Sequence, residues 1–452
     1  MPARKDKLML FNKLFQMPDS SPYLSIGFDV GADFSWMSIA LPNGSFWGRP
    51  FKVIHHDPLS REMAVAKIKE AQELYSLKSR CFLESTGIYH IPLLCFLRDK
   101  GLDCSVINPI ITKNSTNINI RKLHNDKFDS KKAALVGLNA SLKTSILPDE
   151  DIADLRNLVR DYYYFKDLQS AVVLKLNAEL KVSFPAYLKV FSKITTQSSL
   201  KLLAAYPLAK DMLAAPKGEL VAIIRSTARF GEAYALSKYE AILEAAKDAA
   251  VFGRALPSNA VRIRLYIESY QTYQKHLDDI LLALHEAVDK LQDTPVYDRI
   301  CLLQSLRGVG FLSAVVLMAE MGDFDLFSSP KKLYAYFGLD PAVKQSGKLN
   351  GDKVHMSKRG SSLARRVLHM VALNNLKVEK GTKAPVNPVV YNYYTGKCAS
   401  KKKNVAVGAV MHKICNIIFA MLRDNKPFEM IPPEVHCKQY ALDHPASVTS
   451  AA

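Results

Sequence analysis

The sequence predicts an α/β domain followed by an all-α remainder. Three observations predict it. Short apolar strands joined by a hairpin turn open the chain. Strands and helices then alternate up to about residue 148. From there apolar residues recur every three or four positions almost to the C-terminus.

A basic leader is expected over residues 1–22. Beyond it "YLSIGFDVG" carries an apolar strand that ends at Asp29, and "FSWMSIAL" follows as a second strand. Pro42-Asn43-Gly44 is a strong hairpin signal, and "SFWGRPFKVI" supplies the returning strand. A helix is expected over Ser60–Leu77, then a short strand "RCFLES" reaching Glu84. A helix over Ile91–Lys100, a strand "DCSVINP" and a helix beginning near Asp126 complete the domain, 23–148. Three strands, then alternating helix and strand, make a mixed sheet with helices on its faces. This is the element order of the ribonuclease-H-like, or RuvC-like, fold.

Residues 149–296 read as helical, divided by Pro185, Pro207, Pro216 and Pro257. The segment "VRIRLYIESYQTYQKHLDDILLALHEAVDKLQ" has the pattern of one arm of an antiparallel coiled coil, its Tyr and Leu stripe a packing seam. A mostly α-helical domain is expected over 297–428, with a tail over 429–452. Within it Gly308-Val309-Gly310 sits where a helix-hairpin-helix would turn. Gly308 and Gly310 there serve either backbone approach to a phosphate or a plain helix–helix turn.

The chain has 452 residues, 48% of them apolar and 23% charged, as in globular proteins. Lys and Arg number 61 against 43 Asp and Glu, a formal charge of +18, which points to a polyanionic partner. From Cys301 to Ala452 the count is 21 basic to 10 acidic, so the excess is concentrated and nucleic acid is the expected partner. The seven cysteines form no C-x-x-C pair, which argues against a zinc ribbon or a disulfide framework, and most are expected as core residues. The N-terminal stretch lacks the apolar core of a signal peptide, and no long uncharged apolar run is evident. A cytoplasmic protein without a membrane span is expected. His55-His56-Asp57 invites a metal reading, but its place in a loop favours ordinary surface polarity.

Asp126 and Asp129 stand about one helical turn apart, so both carboxylates can share a face. They are either acids of a helix start or half of a metal site. Asp29 and Glu84 each end an apolar strand, and in the expected topology those strands are neighbours crossed by the Asp126 helix. Four carboxylates from three elements then converge. Such a cluster is costly without a counter-charge. A hard divalent cation removes the cost, so Mg2+ is the expected cofactor, with Mn2+ as a substitute. In that setting Lys131 and Lys132 become candidate phosphate contacts.

"IGFDVG", "LESTGIYH" and "DKFDSKKAALVG" resemble the four-acid, RuvC-like domain of the insertion-sequence-110 family of transposases, and of the related Piv-type DNA invertases. "GVGFLSAVVLMAEMGDFDLFSSPKKLYAYFGLDP", "QSGK" and "SKRGSSLARRVLHMVA" resemble their second domain. The resemblance covers Tyr23–Asp161 and Leu302–Asp424 and is only architectural between them. It implies a DNA recombinase whose catalytic acids are Asp29, Glu84, Asp126 and Asp129. It also implies a serine that attacks DNA and becomes covalently linked to it. The matching motif is Gln345-Ser346-Gly347, which makes Ser346 the candidate, with Ser357 of "MSKRG" second. Lys348, Lys353, Lys358 and Arg359 around it are suited to holding phosphate, and Arg365 and Arg366 to binding a nucleic-acid backbone. The resemblance further implies a structured non-coding guide RNA, a bridge RNA pairing with target and donor DNA. It implies a homo-oligomer, dimer to tetramer, with active sites shared between protomers. Ser130 stands where many relatives carry alanine, and the helical middle is longer than usual.

Three other readings compete. A RuvC-like nuclease or junction resolvase would use the same acids to activate water. An actin-like ATPase also begins with a strand aspartate and a hairpin, but the later Gly-Gly adenosine loop is missing. A degenerate copy would only bind nucleic acid, and the intact acids argue against it.

Overall fold

The computed structural model describes residues 22–85, 87–107, 111, 126–139, 149–227, 231–341, 345–346, 349–350 and 355–443. The expected leader, the end of the tail, Gly347, Lys348 and Lys353 lie outside the described residues. The chain divides into two compact units, Met1–Leu147 and Pro148–Ala452.

The first unit holds strands β1 (Leu24–Val30), β2 (Phe34–Ala40) and β3 (Phe46–Ile54) and helix α1 (Pro58–Tyr75). Strand β4 (Ser79–Glu84), helix α2 (His90–Asp99), strand β5 (Asp103–Ile107) and helix α3 (Asp126–Gly137) follow. The sheet order is β3-β2-β1-β4-β5, antiparallel within the first three strands and parallel from β1 to β5. The mixed sheet expected from the element order is what the chain forms. The hairpin turn closes with Leu41 and Gly44 bonded across it, and Gly44 takes a φ of 81°, which suits glycine.

Strand β1 shows why the sheet has two different faces. Its even residues, Leu24, Ile26, Phe28 and Val30, are buried in a cluster with Ala64, Val65, Ile68 and Ala71 of α1 and Leu93, Leu94 and Leu97 of α2. Its odd residues, Ser25, Gly27 and Asp29, face α3. That helix presents small residues, Ser130, Ala133, Ala134 and Gly137, all buried. Small side chains on both elements let the two backbones meet closely. Asp57 caps α1 by accepting from the Leu59 amide at 3.0 Å. His55 spends both ring nitrogens on Ser35 Oγ (2.6 Å) and Ala32 O (3.1 Å), so His55 serves the turn and Asp57 the helix start.

The second unit is built on two long helices, α4 (Glu150–Ser183) and, after α5 (Gln197–Ala205), α6 (Ala209–Ala214), α7 (Lys217–Thr227) and α8 (Glu232–Phe252), α9 (Pro257–Asp289). Helices α4 and α9 pack along each other and contribute to two separate cores. Leu176 and Leu180 join Ile263 and Ile267 in a core with residues of α5 to α8. Leu155, Val159 and Tyr163 join Leu284 and Val288 in a core with the C-terminal helices. Those are α10 (Pro295–Ser305), α11 (Phe311–Met321), α12 (Pro330–Tyr336), α13 (Ser362–Asn375), α14 (Pro388–Cys398) and α15 (Lys403–Asp424), with a short pair β6 (Gln345–Ser346) and β7 (Leu349–Asn350) before α13, and α16 (Pro433–Asp443) follows outside that core. By length and composition α15 is apolar enough to cross a membrane. Here Val410, Ile414, Ile418 and Leu422 are buried in the core, which accounts for that apolarity. One expectation is corrected: only Cys81, Cys104 and Cys415 are buried, while Cys95, Cys301 and Cys437 are exposed. The exposed positions fall on solvent-facing sides of α2, α10 and α16, which spacing between cysteines does not reveal.

Candidate nucleic-acid cleavage site

The first unit brings the four acids to one edge of the sheet through a docking seam that can be followed residue by residue. Tyr23 Oη donates to Gly137 O at 2.6 Å, and Ser25 Oγ donates to Ala134 O at 2.6 Å. A Cβ at Gly27 would run into the backbones of Ser130 and Ala134, and one at Gly137 into Phe82 and Ser25. Two residues up β1 thus correspond to about one turn down α3, because a strand rises about 3.3 Å per residue and a helix about 1.5 Å. The helix runs antiparallel to β1, and the next step places its first turn, Asp126 to Asp129, beside Asp29.

Glu84 reaches the same edge from β4. The parallel register pairs Gly27 with Phe82 and Phe28 with Leu83, so Asp29 and Glu84 are one residue further on, on the α3 face. The electrostatics agree with this placement. Asp29 is pushed up to about 6, first by desolvation and then by the negative charges of Asp129, Asp126 and Glu84, with Lys132 acting against them. Lys132 Nζ is paired to Asp129 Oδ1 at 2.6 Å and so already neutralises one of the four. Lys131 stands over the Phe46 ring, 5.0 Å from its centre.

Among the described residues no group of three or more His, Cys, Asp or Glu side chains is drawn together tightly enough to hold a metal ion. The donor set is nonetheless all carboxylate oxygen, the ligand type of hard divalent cations, and three of its members raise the fourth by mutual repulsion. The four acids fit such a cation by chemistry and by shared location. Ser130 is fully buried beneath them, sharing a hydrogen bond with Ser38 Oγ (2.8 Å) and donating to Lys127 O (3.0 Å). The Ser130 hydroxyl therefore fastens the helix to β2.

In the second unit the backbone of Ser346 pairs with Leu349 in the β6–β7 hairpin. Ser357 has its hydroxyl bonded to Asp340 and its amide bonded to Asp340 O at 2.7 Å. Lys358 and Arg359 are exposed on a loop that Gly338 and Gly360 allow to pass very near the end of α12. Arg365 Nη1 donates to Phe337 O (3.0 Å) and Gly360 O (2.9 Å), and so ties that loop down. Arg366 pairs with Asp167 at 2.8 Å and lies 4.8 Å over the Tyr163 ring. It lines a cleft of about 810 Å3 with Arg156, Arg160 and Glu320, where each arginine has a protein partner. Gly308 takes a φ of 83° beside Asn374 and Asn375, which bond the carbonyls of Gly308 and Arg307, while Gly310 caps α11 with open space around it.

The sequence reading did not single out Trp36, which antiparallel pairing sets directly opposite Asp29. The signal was present in the tight β1–β2 turn: counting outward from Gly31 and Phe34, which bond across it, pairs Val30 with Ser35 and then Asp29 with Trp36.

Comparison with known proteins agrees with both units. A family profile for a DEDD transposase of the IS110 type matches residues 26–185. A second, described as transposase of the IS116/IS110/IS902 family, matches residues 301–387. Together they span more than half of the chain. The pilin gene-inverting protein of Moraxella bovis is 27% identical over 170 residues, 37% of this chain and 51% of that protein. The 42 kDa protein of insertion element IS900 from Mycobacterium paratuberculosis is 30% identical over 153 residues, 33% of this chain and 32% of that protein. The 43.6 kDa protein of insertion element IS110 from Streptomyces coelicolor is 29% identical over 133 residues, 29% and 30% of the two. The chain thus spans about half the length of the first relative and about a third of the other two.

Proposed function

The chain belongs to the IS116/IS110/IS902 family of transposases, and from that premise we propose that it cuts and rejoins DNA through a covalent link to Ser346. The observation that carries the reading is the α3 seam, which delivers Asp126 and Asp129 to the strand-end acids Asp29 and Glu84. Four carboxylates at one sheet edge have no packing purpose, and their repulsion disfavours the folded state. They gain a purpose around a divalent cation, Mg2+ with Mn2+ as a substitute, which supplies positive charge at a phosphate and offsets that repulsion.

The residues divide the work as follows. Asp29, Glu84, Asp126 and Asp129 would hold the cation, and Lys132, paired with Asp129 here, is placed to contact a phosphate. Ser346 Oγ forms a bond to the scissile phosphorus and loses its proton to solvent. The P–O bond to one strand end breaks, and the departing oxygen leaves with the electron pair and gains a proton. Reversal with a new strand end reseals DNA without an external energy source, because the phosphodiester energy stays in the phosphoserine. Lys348, Lys353, Lys358 and Arg359 stabilise charge on the phosphate oxygens. An element-encoded guide RNA chooses the DNA, and the chain works as a homo-oligomer. The pilin gene-inverting relative supports inversion as an outcome beside insertion.

The test is to incubate the purified chain with its flanking DNA, candidate guide RNA and Mg2+, and to map any protein–DNA adduct by peptide sequencing. An adduct on Ser346 that Asp29→Ala and Ser346→Ala both abolish supports the reading. Cleavage that survives Ser346→Ala without an adduct would replace it with a water-using nuclease.

A further inference from the structure

The sheet edge that carries the acids also carries aromatic rings and lysines, and pairing fixes where they stand. Trp36 of β2 is opposite Asp29, and Lys52 of β3 is opposite Trp36 in turn. Alternation along β2 sends Phe34, Trp36 and Ser38 to one face. The Ser38–Ser130 bond identifies that face as the α3 face. Met37 and Ile39, of opposite parity, are buried in the core below. Phe46 pairs with Ala40 and joins the same face.

Each ring there carries an ammonium. Lys127, in the first turn of α3, stands 4.6 Å from the centre of Trp36, and Lys52 stands 4.0 Å from Phe34. Lys131, one turn on from Lys127, stands over Phe46. All three rings are partly exposed. An exposed cation–ring pair contributes only about 0.5–1 kcal/mol, so stability alone is a weak reason for three of them around one site. Rings interleaved with lysines match a nucleotide: the ring offers a stacking face for a base, the ammonium a partner for its phosphate. A duplex hides its base faces in the stack, so the matching ligand is an unpaired strand.

We infer that this face of β2, β3 and α3 seats an unpaired DNA strand, one base stacked on Trp36 and the adjoining phosphates on Lys127 and Lys131, which leads the strand to the four acids. The inference rests on the proposed reading that those acids act on DNA, and it adds the form of DNA and the side chains that grip it. On binding, the lysines exchange their ring contacts for phosphate, and the vacated ring face takes the base.

The chain contains two tryptophans, Trp36 and Trp47. Trp47 pairs with Ile39 and packs against the core on the other face, so Trp47→Phe leaves Trp36 as the sole tryptophan, excited selectively at the red edge where tyrosine does not absorb. The full-length Trp47→Phe chain is titrated with a labelled thymidine oligonucleotide in EDTA. Saturable quenching of Trp36 is expected. By fluorescence anisotropy, Trp36→Ala weakens strand binding by about 5- to 150-fold, the range for losing one stacked base. Trp36→Phe retains most of the affinity, and binding of a duplex of mixed sequence is unchanged by Trp36→Ala. Absence of quenching at saturating strand, equal quenching by the duplex, or Trp36→Ala binding the strand like its parent would each overturn the inference. Trp36 itself is intact in the quenching measurement, so it stands even if Trp36→Ala fails to fold. Metal and cleavage play no part in these assays. Quenching without any Ser346 adduct would therefore defeat the proposed function alone, and a Ser346 adduct without quenching would defeat this inference alone.

Discussion

Replacing Gly27 by alanine adds one methyl group to the seam that brings α3 onto β1. The new Cβ would stand 2.7 Å from Ala134 Cα and closer still to Ala134 N and Ser130 O, where ordinary contact begins at 3.4 Å. All three are backbone atoms of a helix, so no side chain can rotate aside. The helix must move outward, stretching the Ser25–Ala134 and Ser38–Ser130 bonds. Overpacking of this kind costs about 1–3 kcal/mol. For a unit of this size that lowers the melting temperature by roughly 3–12 °C. The same shift withdraws Asp126 and Asp129 from Asp29, so Asp29 relaxes from about 6 toward its ordinary value of 3.8 and divalent-cation affinity falls. Calorimetric melts of the full chain, with Mn2+ titrations beside them, measure both effects. Gly27→Ala melting like the parent and binding Mn2+ equally would refute the seam as the device that assembles the acids.

Other predictions follow from the same structure. The folded chain without metal holds a proton on Asp29 between about pH 4 and 6 that the unfolded chain releases. Its contribution to stability is thus complete below 3.8 and lost as pH rises through about 6; urea midpoints across that window should show the loss, and Asp29→Asn should flatten it. Ser130→Ala removes the buried bond to Ser38 and should cost about 1 kcal/mol in urea unfolding with divalent binding unchanged. Arg160→Ala strands Glu320, which is 3% exposed and held by two arginine nitrogens. The loss should be about 3 kcal/mol, low in the range for buried pairs because Arg160 also meets solvent, and adding Glu320→Gln should recover much of it.

The sheet was legible in the sequence because β1 alternates: large apolar residues mark one face, and Ser25, Gly27 and Asp29 mark the other. The location of the acids was legible for the same reason, since strand ends and a helix start are features of spacing. The closeness of α3 was not, because it depends on what Gly27, Ala134 and Gly137 lack. Trp36 escaped notice because its role depends on cross-strand register, which sets it between Asp29 of β1 and Lys52 of β3. In the helical unit, periodicity gave the long helices α4 and α9 but not their partners. A helix stripe reads alike whether it faces one core or two, and here Tyr163 and Leu176 of one helix belong to different cores.

The account turns on the four acids and Ser346 belonging to one reaction. The most direct measurement is the adduct formed with radiolabelled flanking DNA, guide RNA and Mg2+ by the parent, Asp29→Ala and Ser346→Ala chains. The account predicts a labelled chain for the parent, with the label on Ser346, and none for either variant. A labelled Ser346→Ala chain, or full labelling of Asp29→Ala, would contradict it.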